Sequence, residues 1–340
     1  MLRKLVSILA FALMLVIAPT SCTLIDDDRS DCVQDFTVHY EVTLHTNLST
    51  QVQTVLRNRT ETEVADILMD SLKSIFREFA SDVDLSFYSN KTRKYHDEIV
   101  LNSGQKYIEL DLPADNYRHL ALANLKMEPE VSSMDNDRVD LAYLSQVDKD
   151  TIDIHQVGFF SARKDMNIQY NVDQVFDVSL YMVNCASILV VCTDNVQYRD
   201  MKVYSSDFAN GFYINDSIFT YTANPIVRDH RISTPPRDRE LFYAVTFPSC
   251  DTAEEAQTMT RGGDETVGDI EGRIWRKYVY VTMPDGSVTR TVVNATEPLK
   301  AGQATIVYAY MKSNGGIVSP NVDVTTSIQL NWKDGLEIEN

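Results

Sequence analysis

Cys22 is the residue whose surroundings specify a reaction. Ahead of it come Arg3 and Lys4, an apolar run from Leu5 to Ala18, and the small pair Thr20 and Ser21. A charged start, a short greasy stretch and small residues before a cut make a secretory signal. A cysteine at the cut of a bacterial signal can be acylated, so residues 1–21 are expected to leave and the mature chain to begin with a lipid, palmitate among its chains, on Cys22. The apolar run covers about 21 Å as a helix, short of the roughly 30 Å hydrocarbon core, which argues against a membrane-spanning helix. Pro19 stands where such sites usually carry Leu, so a cleaved signal without lipid is the rival reading. Stable anchoring takes more than one acyl chain, at about 0.8 kcal/mol per buried methylene, and a multiply acylated cysteine meets that need.

A second candidate chemistry is metal binding by His39, Glu41 and His45, which share one face of an alternating segment. Same-face neighbours on a strand lie about 6.7 Å apart, so His39 and Glu41 can approach one ion while His45 is three such steps from His39. A solvated polar face accounts for all three, and no metal is expected. Glu109 with Asp111, and Asp135 with Asp137, have the types for acid/base work. Among 49 acidic residues such pairs arise without function. No G-x-S-x-G, H-E-x-x-H, Walker loop or G-x-G-x-x-G is present. The expectation is therefore no enzyme, no catalytic residue and no cofactor.

Four further cysteines, Cys32, Cys185, Cys192 and Cys250, would reside in a compartment that permits disulfides. Sequence does not choose among their three pairings. Cys185 and Cys192 lie seven apart in an extended apolar run and so point to opposite faces of one strand, which disfavours a bridge between them. They read as small buried apolar residues or as part of one long-range staple.

These groups sit on a chain of 340 residues with 31 basic and 49 acidic side chains. Loss of Arg3 and Lys4 with the signal leaves 29 basic against 49 acidic, a net charge of −20. So acidic a surface repels nucleic acid and anionic headgroups, so no nucleic-acid partner is expected and the lipid must hold the protein at a membrane. The length suffices for two domains with cores of their own.

The elements that must position the candidates are mostly strands. Phe36, Val38, Tyr40, Val42 and Leu44 alternate with Thr37, His39, Glu41, Thr43 and His45, giving one buried and one wet face. Val83, Leu85 and Phe87 repeat the pattern, as do Ile108, Leu110 and Leu112 against Glu109 and Asp111. One helix is expected from Val64, Ile67, Leu68, Leu72, Ile75, Phe76 and Phe79, opened by a capping box of Thr60 and Glu63. It should pack across a sheet or cap the end of a sandwich. A new strand begins with Phe176, Val178, Leu180 and Met182, and the apolar run Ile188 to Cys192 suggests burial on both faces. Residues 275–283 and 287–294 flank Pro284, Asp285 and Gly286, a hairpin signal, and an alternating strand runs from Asn321 to Trp332. The predicted organisation is a signal peptide (1–21), an acylated tether (22–34), an N-terminal β-sandwich (35–172) and a C-terminal β-sandwich (173–340).

Pro248 to Arg273 is rich in Asp, Glu, Gly and Thr and reads as a mobile surface loop whose Arg261 is open to trypsin-like cleavage. The run Phe208, Phe212, Tyr213, Phe219 and Tyr221 is the most aromatic patch; core or hairpin packing is favoured over sugar binding.

Taken in order, several segments resemble the FimB-type fimbrial anchor lipoproteins of the Bacteroidetes. They are Cys22 to Tyr40 with Asp26, Asp27, Asp28, Asp31 and Cys32; Val83 to Tyr88; Leu112 to Tyr117 leading to Ala123 and Asn124, similar to that family's "LP-x-G-x-Y" segment; and Ile328 to Gly335. The resemblance implies an all-β protein of two tandem transthyretin-like, fimbrillin-like sandwiches. It also implies a cell-surface, outer-membrane location at the base of a fimbrium, with Asp26, Asp27 and Asp28 as the surface-export signal. The partner it implies is a fimbrial shaft subunit, joined when a strand of one subunit completes the open sheet of its neighbour. A surface glycan-binding lipoprotein is the alternative.

Overall fold

Alternating and continuous apolar runs build the chain almost entirely from strands. The computed structural model describes residues 35–45, 62–76, 79–89, 94–102, 104–127, 138–145, 151–221, 225–233, 235, 238–253, 273–320 and 323–329. Cys22, Asp26, Asp27, Asp28, Cys32, Thr60, Asp135, Asp137, Arg261 and residues 330–335 lie outside them. In the first half come β1 (Asp35–His45), the helix α1 (Thr62–Leu72), β2 (Asp82–Tyr88), β3 (Tyr95–Val100), β4 (Tyr107–Pro113), β5 (Asn116–Ala123), β6 (Tyr143–Ser145), β7 (Thr151–Asp153), β8 (Phe160–Asn167) and β9 (Gln174–Met182). The second half contributes β10 (Cys185–Cys192), β11 (Asp200–Ser206), β12 (Gly211–Tyr213), β13 (Ile218–Thr220), β14 (Ile226–Arg228) and β15 (His230–Arg231). It continues with β16 (Arg239–Thr246), β17 (Trp275–Thr282), β18 (Val288–Ala295), β19 (Ala304–Met311), β20 (Ile317–Val318) and β21 (Asp323–Gln329).

The first sheet has the order β3-β2-β5-β8-β9-β1-β4. β8 and β9 pair only at Phe160–Met182 and Ser161–Tyr181, so the sheet turns a corner there. The Tyr40 hydroxyl of β1 then meets His119 Nε2 of β5 at 2.6 Å, although two strands separate them in the sheet. The four-stranded and three-stranded parts therefore lie face to face as a sandwich. Val38, Tyr40 and Val42 pack on Val83, Leu85 and Phe87 between them. α1 is shorter than its apolar pattern suggests. Val64, Leu68 and Leu72 enter the same core, and the Ile75 carbonyl accepts the Gly158 N–H at 2.8 Å, pinning the turn after the helix beside the start of β8.

The second sandwich pairs a five-stranded sheet, β15-β16-β10-β19-β20, with a six-stranded one, β21-β18-β17-β11-β14-β7. β10 is buried along its whole length, as its continuous apolar run requires. The β17–β18 hairpin closes as its turn residues dictate, with Gly286 at φ +87° and its N–H bonded to the Met283 carbonyl at 3.0 Å. The halves share a pairing scheme. β1 lies between an antiparallel partner, β4, and a parallel one, β9; β10 lies likewise between antiparallel β16 and parallel β19.

The sheets cross residue 172 in both directions. β9 belongs to the first sheet, whereas β7 joins β14 of the second sandwich and β6 joins β12 in a small sheet ordered β13-β12-β6. The change of pattern near 168–173 marks a turn between β8 and β9. Edge strands took partners from whichever half offered an unfilled ladder. The small sheet lies on the outer face of β2 and β5, where Leu120, Leu122, Leu144, Phe159, Phe212 and Phe247 form a second core. This second cover explains why β2 is buried on both faces although its sequence alternates.

Of the segment read as a surface loop, 254–272 lies outside the described residues, and its flanks are core: Cys250 and Arg273 are each 1% exposed. Arg273 and Arg276 both donate to Asp207, at 2.7 and 2.8 Å. Cys185 and Cys192 are buried free thiols, and Cys250 is buried.

Two histidines are held neutral in the interior. His119 Nδ1–H donates to the Ser86 carbonyl at 3.0 Å, so Nε2 accepts from Tyr40, and Phe87 stacks on the ring at 4.3 Å. His155 accepts the Asn184 amide at Nδ1, 2.5 Å, between Phe159 and Phe247 at the seam of the two halves. Burial lowers each ring's pKa from 6.5 to about 3. The unfolded chain therefore binds protons that the folded chain refuses, and stability is lost as pH falls from about 6.5 toward 3. Each ring contributes up to about 1.4 kcal/mol per pH unit in that window. Urea unfolding from pH 7 to pH 4 should show this decline, and His155→Gln should remove about half of the histidine slope; an unchanged slope would contradict it. A second prediction concerns Gly211, where a Cβ would overlap the hydroxyl and Cζ of Tyr143, which bonds Thr220 at 2.8 Å. Gly211→Ala should cost about 1–3 kcal/mol of unfolding free energy by displacing that ring.

Candidate docking edge

β4 ends the three-stranded half of the first sandwich, and no described strand pairs with its outer side. Its side chains alternate strictly: Ile108, Leu110 and Leu112 are at most 7% exposed, and Tyr107, Glu109 and Asp111 face out. The Val42 N–H bonds the Lys106 carbonyl at 2.7 Å, which makes Val42 and Lys106 a hydrogen-bonded pair. Antiparallel pairs alternate, so Ile108, Leu110 and Leu112 exchange bonds with β1. The N–H and C=O groups of Tyr107, Glu109 and Asp111 consequently point outward. The Gln105 side chain covers the Tyr107 carbonyl at 3.1 Å.

The remaining described edges are poorer templates. The side of β9 facing β8 is filled by side chains: Lys164 Nζ donates to the Asp177 carbonyl at 2.6 Å, and Gln174 Nε2 to the Asn167 carbonyl at 3.0 Å. β15 and β20 have two residues each, and β7 has three. On β3, Tyr95 and Ile99 are only partly buried against the core and exposed Asp97 stands between them, so its apolar row is broken. β21 ends the six-stranded sheet, and its side chains lie outside the described residues.

The residues singled out for metal or acid chemistry converge on the outer face beside this edge. His39 Nδ1 stands 3.5 Å from Glu109 on β4, both well exposed, and Thr37 donates to Asp111 at 2.9 Å. Glu41 accepts the Tyr107 hydroxyl, and that bond, followed by the carboxylate's charge, raises the Tyr107 pKa. The His45 side chain lies outside the described residues, and no three His, Cys, Asp or Glu among the described residues gather as metal ligands. The face is a solvated polar surface whose charges lie along the edge. If two copies met through β4, their carboxylates would be brought close together, which disfavours self-association.

The aromatic run takes up packing positions. Phe208 and Phe212 are buried, the Phe219 ring lies tilted against that of Phe212 at 4.7 Å, and Tyr221 bonds the Ser249 carbonyl at 2.9 Å. Tyr213 is the most exposed of the five, and its ring lies 4.6 Å from that of Tyr143. No signal in the sequence marked Lys164 or Gln105 as edge-capping groups, because their roles depend on pairing partners far along the chain.

No family model and no curated protein matches the chain. Among solved structures it is similar to a candidate adhesin from Bacteroides ovatus, with a TM-score of 0.49, 10% identity, and coverage of 79% of this chain and 86% of that one. A candidate polysaccharide-binding protein from Bacteroides thetaiotaomicron gives 0.48 at 8% identity, over 86% and 98% of the two chains. The fimbrial anchor protein Mfa2 from Porphyromonas gingivalis gives 0.45 at 8%, again over 86% and 98%.

Proposed function

We propose that this chain is a lipid-anchored surface subunit at the base of a fimbrium, held in the outer membrane through Cys22, with Asp26, Asp27 and Asp28 as its export signal. The shaft subunit joins it by laying one strand along the outer edge of β4. The observation that carries this reading is the edge itself: outward backbone groups at Glu109 and Asp111, backed by the buried row Ile108, Leu110 and Leu112. Backbone bonds supply affinity in such a joint, and the side chains of alternate residues fix the register. The ordered sequence resemblance supplies the biological setting. We read the chain as a binding protein and not as an enzyme, with no cofactor.

The test separates the two attachments. Glu109→Pro removes one outward N–H and leaves the β1–β4 ladder intact, as proline is tolerated on an edge whose N–H faces away from the sheet. The variant should unfold at the wild-type denaturant concentration and reach the membrane, yet fail to bind the purified shaft subunit. Cys22→Ala should bind the shaft subunit and release both into the medium. Cell-attached fimbriae in the Cys22→Ala strain would defeat the anchoring role, and normal shaft binding by Glu109→Pro would defeat the joint. Retention on polysaccharide columns without shaft binding would favour a glycan-binding lipoprotein.

A further inference from the structure

Inside the second sandwich, away from the docking edge, Lys277 and Asp229 meet with both side chains 0% exposed. Lys277 sits on β17 opposite Ser205 of β11, and Asp229 follows β14 with its N–H bonded to the Val203 carbonyl at 3.0 Å. Lys277 Nζ is 2.5 Å from Asp229 Oδ2, 2.8 Å from Ser205 Oγ and 2.9 Å from Ser187 Oγ on the opposite sheet. The Ser205 hydroxyl in turn donates to Asp229 Oδ1 at 2.6 Å. Nζ, Ser205 Oγ, Oδ1, Cγ and Oδ2 thus form a closed hydrogen-bonded ring, with the Trp275 ring 5.9 Å from the nitrogen.

We propose that Lys277 and Asp229 condense to an intramolecular amide, with Ser205 as the proton relay.

The chemistry balances without any outside reagent. One proton of the ammonium passes to Ser205 Oγ while the serine's own proton passes to Oδ1, leaving a neutral amine and a neutral acid. The amine then turns about Cε–Nζ, so that Ser187 and Ser205 accept its two remaining N–H bonds and its lone pair is directed at the carboxyl group. The N–C bond forms, a second proton travels through Ser205 to the Oδ1 hydroxyl, and that oxygen leaves as water. One hydrogen stays on nitrogen, and the products are one amide and one water. Three physical features favour the step. Burial costs the charged pair its hydration, and condensation removes both charges. Burial also lowers the Lys277 pKa in spite of the nearby carboxylate. Finally, fixed contact between the reacting groups is worth effective molarities on the order of 10⁵–10⁸ M.

The bond would tie β17 to the segment beyond β14, across β11 between them, so that three strands could not separate. It does not depend on the fimbrial reading.

A tryptic map of the full-length chain decides it. With the amide in place trypsin cannot cut after Lys277, and a branched species should join peptide 277–290 to the peptide that carries Asp229, lighter by one water than their sum. Lys277→Met should lack that species, and Ser205→Ala should accumulate uncondensed chain. Recovery of linear peptide 278–290 as the sole product from the unaltered chain would overturn the proposal whether or not either variant folds. Formation at the wild-type rate in Ser205→Ala would overturn the relay.

Discussion

Every strand carries hydrogen-bonding groups on two sides, and a sandwich of two open sheets can satisfy both sides only for its interior strands. That constraint organises this molecule. Where β8 and β9 separate after two pairs, Lys164 and Gln174 supply side-chain donors. Where the second sandwich had an unfilled ladder at β14, the chain between the halves provided β7, and β6 went to β12 in the same way. β4 is the described edge of full strand length, backed by a buried apolar row, that no such device covers along its length. An edge of that kind is a liability unless a partner takes it.

The exchange of β6 and β7 has a mechanical consequence. Two domains joined by a linker swing, whereas these halves share ladders and a second apolar core. Arg118 and Arg163 both donate to Asn215, in the loop between β12 and β13, at 2.8 and 2.6 Å. His155 and Asn184 lie within this seam, joined by a hydrogen bond of 2.5 Å.

The fold was legible wherever a strand had one wet face or none. β1, β4 and β9 alternate as their sequences do, and β10 is buried throughout as its apolar run required. β2 was legible as a strand and misleading about its surroundings, because the cover on its outer face comes from β6, β12 and β13. The turn near residue 172 shows the same limit: a reset of pattern reports a turn, while strand ownership is decided by long-range pairing. The cluster of His39, Glu41, Glu109 and Asp111 was visible residue by residue, but its place beside an open edge depends on the β1–β4 register. Cys22 and the aspartates Asp26, Asp27 and Asp28 are readable only in the sequence, since they lie outside the described residues.

Amide hydrogen exchange tests the central claim most directly. In the isolated protein the amides of Glu109 and Asp111 should exchange quickly while those of Ile108 and Leu110 are protected; on addition of the shaft subunit the first two should slow by orders of magnitude and the others change little. Glu109 and Asp111 amides that are already protected in the isolated protein, or that keep exchanging in a stable complex, would contradict the account.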